Sequence, residues 1–312
     1  MRNERIVFFG TPAFAVGILK MLLDEKYNVV AAVSQPDRPV GRKHKIEKTP
    51  VKVLCEEYGI PCLQMDHLKD EVDKVLAYEP DVIVTCAYGQ IVPSSILEYP
   101  RLGCINVHPS LLPKYRGGAP MHFAILNGDE VTGVSLMEMT KKMDAGKVYA
   151  QVELPIGKDE TEAELEPRLL EASVTLLKEN LPLYLDGKLP GVEQDESKVT
   201  FCHNISREME KVSFQSEEVH TLYNHIRGLI DWPVPYGMVE GKRVKFYAVR
   251  MEEKDSGKPA GEILGFKDHA MEVAANGGVI RVLELQMEGK KRMSADAFAN
   301  GYSAELTGKR FD

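Results

Sequence analysis

R-I-V-F-F-G-T-P-A-F-A-V-G-I-L-K-M-L-L-D-E-K-Y-N-V-V-A-A-V, residues Arg5 to Val33, decides the fold. A short β-rich run, Ile6 to Phe9, gives way to an amphipathic stretch after Pro12 and then to a second apolar run, Asn28 to Val33. The alternation continues outward, with a helix opening at Pro50 and further strand-like runs at Val82 to Cys86 and Cys104 to His108. Strands alternating with helices imply βαβ units, so the sequence predicts a doubly wound α/β domain with a mostly parallel sheet. Helix punctuation agrees. Thr49 as N-cap, Pro50 at the first helical position and Gly59 past the end bracket Val51 to Tyr58. Thr161 and Glu164 make a capping box for a helix reaching about Leu181, and Val131 to Met139 and Val148 to Pro155 read as two further strands.

Between Asp186 and about Phe214 the pattern loosens into D-G-K-L-P-G-V-E-Q-D-E-S-K, charged and turn-forming residues expected to link rather than to build a core. Beyond it come one helix, Glu217 to Gly228, and short runs at Gly237 to Glu240, Arg243 to Arg250, Gly261 to Phe266, Ala270 to Ala274 and Val279 to Leu285. Short strands at this spacing predict a small β-barrel. A chain of 312 residues suits two domains, expected at residues 1–188 and 207–312 with 189–206 as linker.

The composition, 44% hydrophobic and 28% charged, is that of an ordinary globular protein. No run approaches the roughly 20 apolar residues that span a bilayer, and the apolar run after Arg5 is too short for a signal sequence. A cytoplasmic protein without a membrane partner is expected. The five cysteines form no C-x-x-C pair, which argues against a disulfide framework or a structural zinc site. A net charge of -8 argues against indiscriminate coating of nucleic acid. Gln35 to Lys52 reverses that sign locally, with Arg38, Arg42, Lys43, Lys45, Lys48 and Lys52 against Asp37 and Glu47.

Chemistry concentrates in N-V-H-P-S-L-L-P-K-Y-R-G-G-A-P, Asn106 to Pro120, followed downstream by Asp144 in M-D-A-G. Asn106 and His108 stand two apart at the end of an apolar run, so on a strand they share a face. Ligands of open α/β sheets bind beyond the carboxyl ends of the strands. An amide beside an imidazole suits acyl transfer: Asn106 would donate to a developing oxyanion, typically worth about 3 kcal/mol of barrier. His108 would donate or relay a proton, a contribution of roughly 10²- to 10⁴-fold, with Asp144 orienting its ring. A strand-end histidine held by hydrogen bonds and an aspartate in a turn are the structural alternatives, and spacing alone does not bring Asp144 to His108. Gly10-Thr11-Pro12 carries neither G-x-G-x-x-G nor a P-loop lysine, so no nucleotide cofactor is expected.

At these residues the chain resembles the formyltransferases that use 10-formyltetrahydrofolate. The resemblance rests on F-F-G-T-P-A-F-A from Phe8, S-Q-P-D-R-P-V-G-R from Ser34, A-Y-G-Q-I-V-P from Ala87, the Asn106 motif and G-K-K-R-M-S-A from Gly289. It implies a Rossmann-like catalytic domain followed by an OB-like β-barrel. It implies Asn106, His108 and Asp144 as the catalytic group, and a folate site lined by Ser110, Leu111, Leu112 and Pro113 and bordered by Ala87, Tyr88, Gly89, Gln90, Ile91 and Val92. The implied reaction moves the formyl group of 10-formyltetrahydrofolate to the α-amine of methionyl-initiator tRNA without a metal, and a monomer is expected of an enzyme that must embrace a large RNA. A small amine, such as glycinamide ribonucleotide or an amino sugar nucleotide, is the alternative acceptor.

The same resemblance makes the basic loop a tRNA contact through Arg38, Arg42, Lys43 and Lys45, and the barrel a second one through Lys290, Lys291 and Arg292. Trp232, Tyr236, Phe246 and Tyr247 lie among the barrel's charges, available either for packing or for stacking on a base. Ile230-Asp231-Trp232-Pro233 and Lys43 depart from the family pattern, where N-P-W-P and a glycine are more frequent.

Overall fold

The computed structural model describes residues 2–40 and 45–312. In chain order its elements are β1 (Ile6–Gly10), α1 (Ala13–Asp24), β2 (Val29–Ser34), β3 (Arg38–Val40), β4 (Lys45–Glu47), α2 (Pro50–Tyr58), β5 (Cys62–Gln64), α3 (Val72–Leu76), β6 (Val82–Cys86), α4 (Ser94–Leu97), β7 (Cys104–His108), β8 (Arg116–Gly117), α5 (Pro120–Leu126), β9 (Val131–Glu138), β10 (Val148–Pro155) and α6 (Glu162–Leu185). There follow β11 (Phe201–Cys202), α7 (Val219–Arg227), β12 (Tyr236–Val239), β13 (Lys242–Glu252), β14 (Ile263–Lys267), β15 (Ala270–Ala275), β16 (Gly278–Met287), β17 (Met293–Ser294) and α8 (Ala295–Leu306). They make two compact units. The first is Met1–Gly117, Thr132–Leu154 and Glu166–Phe201, and the second is Gly118–Val131, Pro155–Leu165 and Cys202–Asp312.

The first unit is built on a seven-stranded sheet in the order β10-β9-β7-β6-β1-β2-β5. β1 pairs in parallel with β2 and β6, and β6 in parallel with β7, while β7 and β9 run antiparallel. Every residue of β1 and β6 is buried, which is why both read as unbroken apolar runs. The chain leaves β1 toward β2 and β5 and returns on the other side as β6, so the strand order reverses between β1 and β6. Such a reversal opens the crevice where α/β folds bind ligands. Its edges are tied together: Thr11 Oγ1 donates to the Tyr88 carbonyl at 2.8 Å and accepts from the Gln35 N–H at 3.2 Å.

The caps expected from sequence form. Thr49 Oγ1 accepts from the Lys52 N–H at 3.3 Å, and Gly59 ends α2 in the left-handed region at φ 69°. Thr161 Oγ1 accepts from the Glu164 N–H at 3.3 Å while the Glu164 carboxylate accepts from the Thr161 N–H at 2.9 Å, the reciprocal bonds of a capping box. The helix they open runs on to Leu185, past two internal prolines.

The second unit holds an antiparallel sheet in the order β12-β13-β16-β15-β14, with β17 on β16. Its two edges are joined by the last residues of the chain: Arg310 bridges Glu262 beside β14, and Phe311 bridges Val239 on β12. Phe214, Phe246 and Phe311 lie fully buried within it, with ring centroids 5.0 to 5.9 Å apart. Phe214 and Val212 correct the expectation that 186–214 contributes no core; single apolar residues without periodicity gave no sign of it. α8 and the joining of the edges likewise had no counterpart in the sequence reading.

Candidate active site

β7 delivers Asn106 and His108 to the carboxyl end of the first unit's sheet, beside Thr85 of β6, its register partner. Thr85 Oγ1 donates to Asn106 Oδ1 at 2.8 Å. The acceptor end of the carboxamide is thereby occupied, and the Nδ2 protons are left to serve another acceptor.

The His108 ring is 4% exposed, and its Nε2 lies 2.9 Å from the Tyr115 carbonyl. A carbonyl only accepts, so Nε2 carries the proton and Nδ1 presents its lone pair. Asp144 Oδ2 stands 3.9 Å from Nδ1. That is ion-pair range once the ring is protonated and too long for a hydrogen bond. Sequence reading assigned the orientation of the ring to Asp144; the short contact that orients it belongs to Tyr115.

Asp144 itself sits at φ 48° and its Oδ2 accepts from the Gly117 N–H at 2.8 Å. The glycine of D-A-G has a steric cause: a Cβ on Gly146 would lie 2.1 Å from the Glu138 carbonyl oxygen. Gln194 holds the turn from the other side, donating through Nε2 to the Asp144 and Gly146 carbonyls at 2.8 Å each. Its Oε1 accepts from Arg116 Nε at 3.1 Å and Nη2 at 2.9 Å, and Arg116 Nη2 also reaches Glu196 Oε1 at 2.8 Å. Arg116 and then Lys142 hold the Glu196 carboxyl down at about 2. Thr200 Oγ1 accepts from the Tyr115 N–H at 2.9 Å.

The residues expected to line the folate site divide into accessible and buried. Ser110 is buried, its hydroxyl donating to the Lys114 carbonyl at 2.7 Å, and Leu112 is buried beside it, whereas Leu111 and Pro113 are half-buried. The Leu112–Pro113 bond is cis. Ser135 and Gln151 fix this loop: Ser135 Oγ donates to the Ser110 carbonyl at 2.6 Å, and Gln151 Nε2 donates to the Leu112 carbonyl at 2.9 Å. In the second loop Ala87, Gly89 and Ile91 are exposed, Ile91 to 84%. Tyr88 and Val92 belong to the core, and burial pushes the Tyr88 hydroxyl up to about 12. Gln90 is spent on the Met65 carbonyl and the Leu68 N–H, both at 3.0 Å.

Among the basic residues, Arg38 and Lys45 lie on the antiparallel pair β3 and β4, and Arg42 and Lys43 lie outside the described residues. In the second unit Arg292 is held by both oxygens of Glu284 at 2.7 Å with its guanidinium 4.2 Å from the Tyr247 ring centre. Lys290 lies 5.2 Å from the Tyr302 ring centre and Lys291 is exposed. The aromatic residues part company: Phe246 is core, Tyr236 carries Arg243 on its face at 4.2 Å, and Trp232 is 60% exposed and T-shaped against His122.

Sequence reasoning missed Thr85, Ser135, Gln151, Tyr115, Arg116, Gln194 and Thr200. A lone hydroxyl inside the apolar run Val82 to Cys86 was a usable signal for Thr85, whereas Ser135 shares Val131 to Glu138 with Thr132 and is not singled out there. No local signal pairs Arg116 with Gln194. Among the described residues no group of three or more His, Cys, Asp and Glu side chains is placed to hold a metal ion, and no helix is long and apolar enough to cross a membrane.

A strand-end carboxamide donor, a buried imidazole with a free lone pair and a nearby carboxylate are chemically suited to passing an acyl group between two amines. Residues 4–181 match the family described as formyl transferase, and residues 204–303 match the formyl transferase C-terminal domain. The chain belongs to the formyltransferase family. Methionyl-tRNA formyltransferases of Bacillus cereus (strain AH187) and Bacillus anthracis (strain CDC 684 / NRRL 3495) are each 48% identical to it over 307 residues, covering 97% of this chain and 97% of theirs.

Solved structures at lower identity share the fold. HypX from Aquifex aeolicus in complex with tetrahydrofolic acid is 18% identical with a TM-score of 0.65 over 98% of this chain, which spans 48% of HypX. An N-formyltransferase from Helicobacter canadensis, in complex with folinic acid and dTDP-3-aminofucose, is 18% identical with a TM-score of 0.67, covering 90% of this chain and 99% of that one.

Proposed function

We propose that this enzyme transfers the formyl group of 10-formyltetrahydrofolate to the α-amine of methionyl-initiator tRNA, in the cytoplasm and as a monomer. The observation that carries the reading is the Asn106, His108 and Asp144 constellation in a chain 48% identical over 97% of its length to methionyl-tRNA formyltransferases. Residues 1–188 serve as the catalytic domain, 189–206 as the connection and 207–312 as the tRNA-binding domain. The exposed Ala87 and Gly89, with Leu111 and Pro113, border the folate. Arg38, Arg42, Lys43, Lys45, Lys290, Lys291 and Arg292 meet the tRNA, whose phosphates attract such groups strongly at low salt.

The amine nitrogen attacks the formyl carbon and the carbonyl oxygen takes the negative charge, which the Asn106 Nδ2 protons stabilise. The new ammonium loses a proton to His108 Nδ1, the nitrogen not committed to Tyr115. The imidazolium so formed is stabilised by the Asp144 carboxylate, within 4 Å. His108 then returns the proton to the folate nitrogen as the carbon–nitrogen bond breaks, so tetrahydrofolate leaves neutral at that atom. No covalent enzyme intermediate is needed.

Asn106→Ala, His108→Ala and Asp144→Ala should each lower turnover at saturating substrates, by about 10²-fold or more for the oxyanion donor. Formyl transfer is measured with 10-formyltetrahydrofolate and charged tRNA, uncharged tRNA or a small amine. Near-normal turnover in all three variants would remove the mechanism, and transfer to the small amine alone would replace the tRNA as acceptor.

A further inference from the structure

We infer that Gln194 is a positioning residue of the formyl-transfer site, acting through Asp144; the inference rests on the catalytic reading of Asp144 above. Every polar atom of its carboxamide is engaged. Both acceptors of Nε2, the Asp144 and Gly146 carbonyls, belong to the turn that presents the carboxylate. Both donors to Oε1 come from Arg116, whose neighbours in sequence are the other two supports of the site. The Tyr115 carbonyl accepts from His108, and the Gly117 N–H donates to Asp144.

The segment that carries Gln194 grips the same loop again further along. The Arg116 N–H donates to the Thr200 carbonyl at 2.9 Å, and the Thr200 N–H to the Pro113 carbonyl at 3.3 Å. Two non-glycine residues in this assembly have positive φ, Tyr115 at 61° and Asp144 at 48°. Backbone in the left-handed region relaxes unless neighbouring groups over-determine it, and these bonds supply that constraint.

Arg116 makes the arrangement specific. Its side chain is fully buried and Nη1 has no hydrogen-bond partner. A desolvated guanidinium held this way has few alternatives to Gln194 and Glu196, and so it fixes the Oε1 end of the carboxamide and turns Nε2 toward Asp144. Gln194 is half-buried on an irregular segment, so its contribution is local to the turn.

The test is steady-state kinetics on the full chain with saturating charged tRNA and 10-formyltetrahydrofolate, together with thermal unfolding. Gln194→Ala removes the carboxamide. Gln194→Glu keeps an acceptor for Arg116 but sets a carboxylate against the two turn carbonyls. Both variants should lose kcat, by up to about 100-fold as expected for a slight misplacement of a reacting group, with KM for each substrate within twofold and the melting temperature nearly unchanged. Glu193→Ala, next in sequence and exposed, should keep full kcat.

Parent-like kcat in Gln194→Ala, or its recovery in Gln194→Glu, overturns the inference, the latter because it would reduce the role of Gln194 to accepting from Arg116. A loss confined to KM or to melting temperature overturns it as well. Asp144→Ala separates the two levels: if it is inactive while Gln194→Ala is normal, only the positioning role fails, and if it is active, the catalytic reading fails with it.

Discussion

A carboxamide has two ends, and at Asn106 a hydroxyl on the adjacent strand decides which end is left uncommitted for the proposed oxyanion. Thr85 is 2% exposed, and its single proton has the Asn106 Oδ1 at 2.8 Å as its shortest acceptor, with the Met139 sulfur at 3.1 Å and the Ile105 carbonyl at 3.2 Å. Thr85→Val keeps the shape and removes the proton. The amide can then turn over and present oxygen where the oxyanion forms. Turnover should fall by about 10-fold, less than the 10²- to 10³-fold cost of deleting a donor outright, because Nδ2 survives. A kcat equal to that of the parent would show that Asn106 is held by something other than Thr85. The comparison with Asn106→Ala places the effect on the same atom.

Among the elements, α2 shows how much of the fold a local signal can carry. Thr49, Pro50 and Gly59 marked its ends in the sequence, because a cap is an arrangement of neighbours. What the sequence does not show is that the Thr49 hydroxyl also lies 2.7 Å from the hydroxyl of Ser34, a fully buried residue at the end of β2. Thr49→Ala therefore removes a cap, typically about 1 kcal/mol, and strands a buried hydroxyl, about 1–3 kcal/mol more. Chemical denaturation should report a combined loss of about 2–4 kcal/mol. A loss near 1 kcal/mol would mean that Ser34 finds another partner.

β1 and β6 were legible for a similar reason, since full burial on both faces leaves an unbroken apolar run. β5, only three residues long, was not legible, and neither was α8. The site divides along the same line. Asn106 and His108 are two residues apart, and their shared face follows from strand geometry. Gln194 lies 50 residues from Asp144 and 78 from Arg116, and nothing in the composition of 189–206 distinguishes a clamp from a tether.

At the scale of the whole molecule, the second unit depends on the last few residues of the chain for the joining of its sheet edges. The Gly308 N–H donates to the Ile263 carbonyl, the Phe311 N–H to the Gly261 carbonyl and the Asp312 N–H to the Met238 carbonyl, so residues beyond α8 occupy the backbone groups of both edges. An open sheet edge invites pairing with another chain; here short terminal contacts cover it. Phe311 anchors them, its ring stacked on Phe214 at 5.0 Å and tilted against Phe246 at 5.8 Å. Phe311→Ala should leave a cavity at that junction and cost about 3–5 kcal/mol. Trp232, the single tryptophan of the chain, lies in the second unit and reports on it without a label. In a urea titration followed by its fluorescence, the transition of the variant should move to clearly lower denaturant. An unmoved midpoint would show that the sheet stands without the terminal anchor, and that the bonds at residues 308–312 follow from the fold of this unit instead of maintaining it.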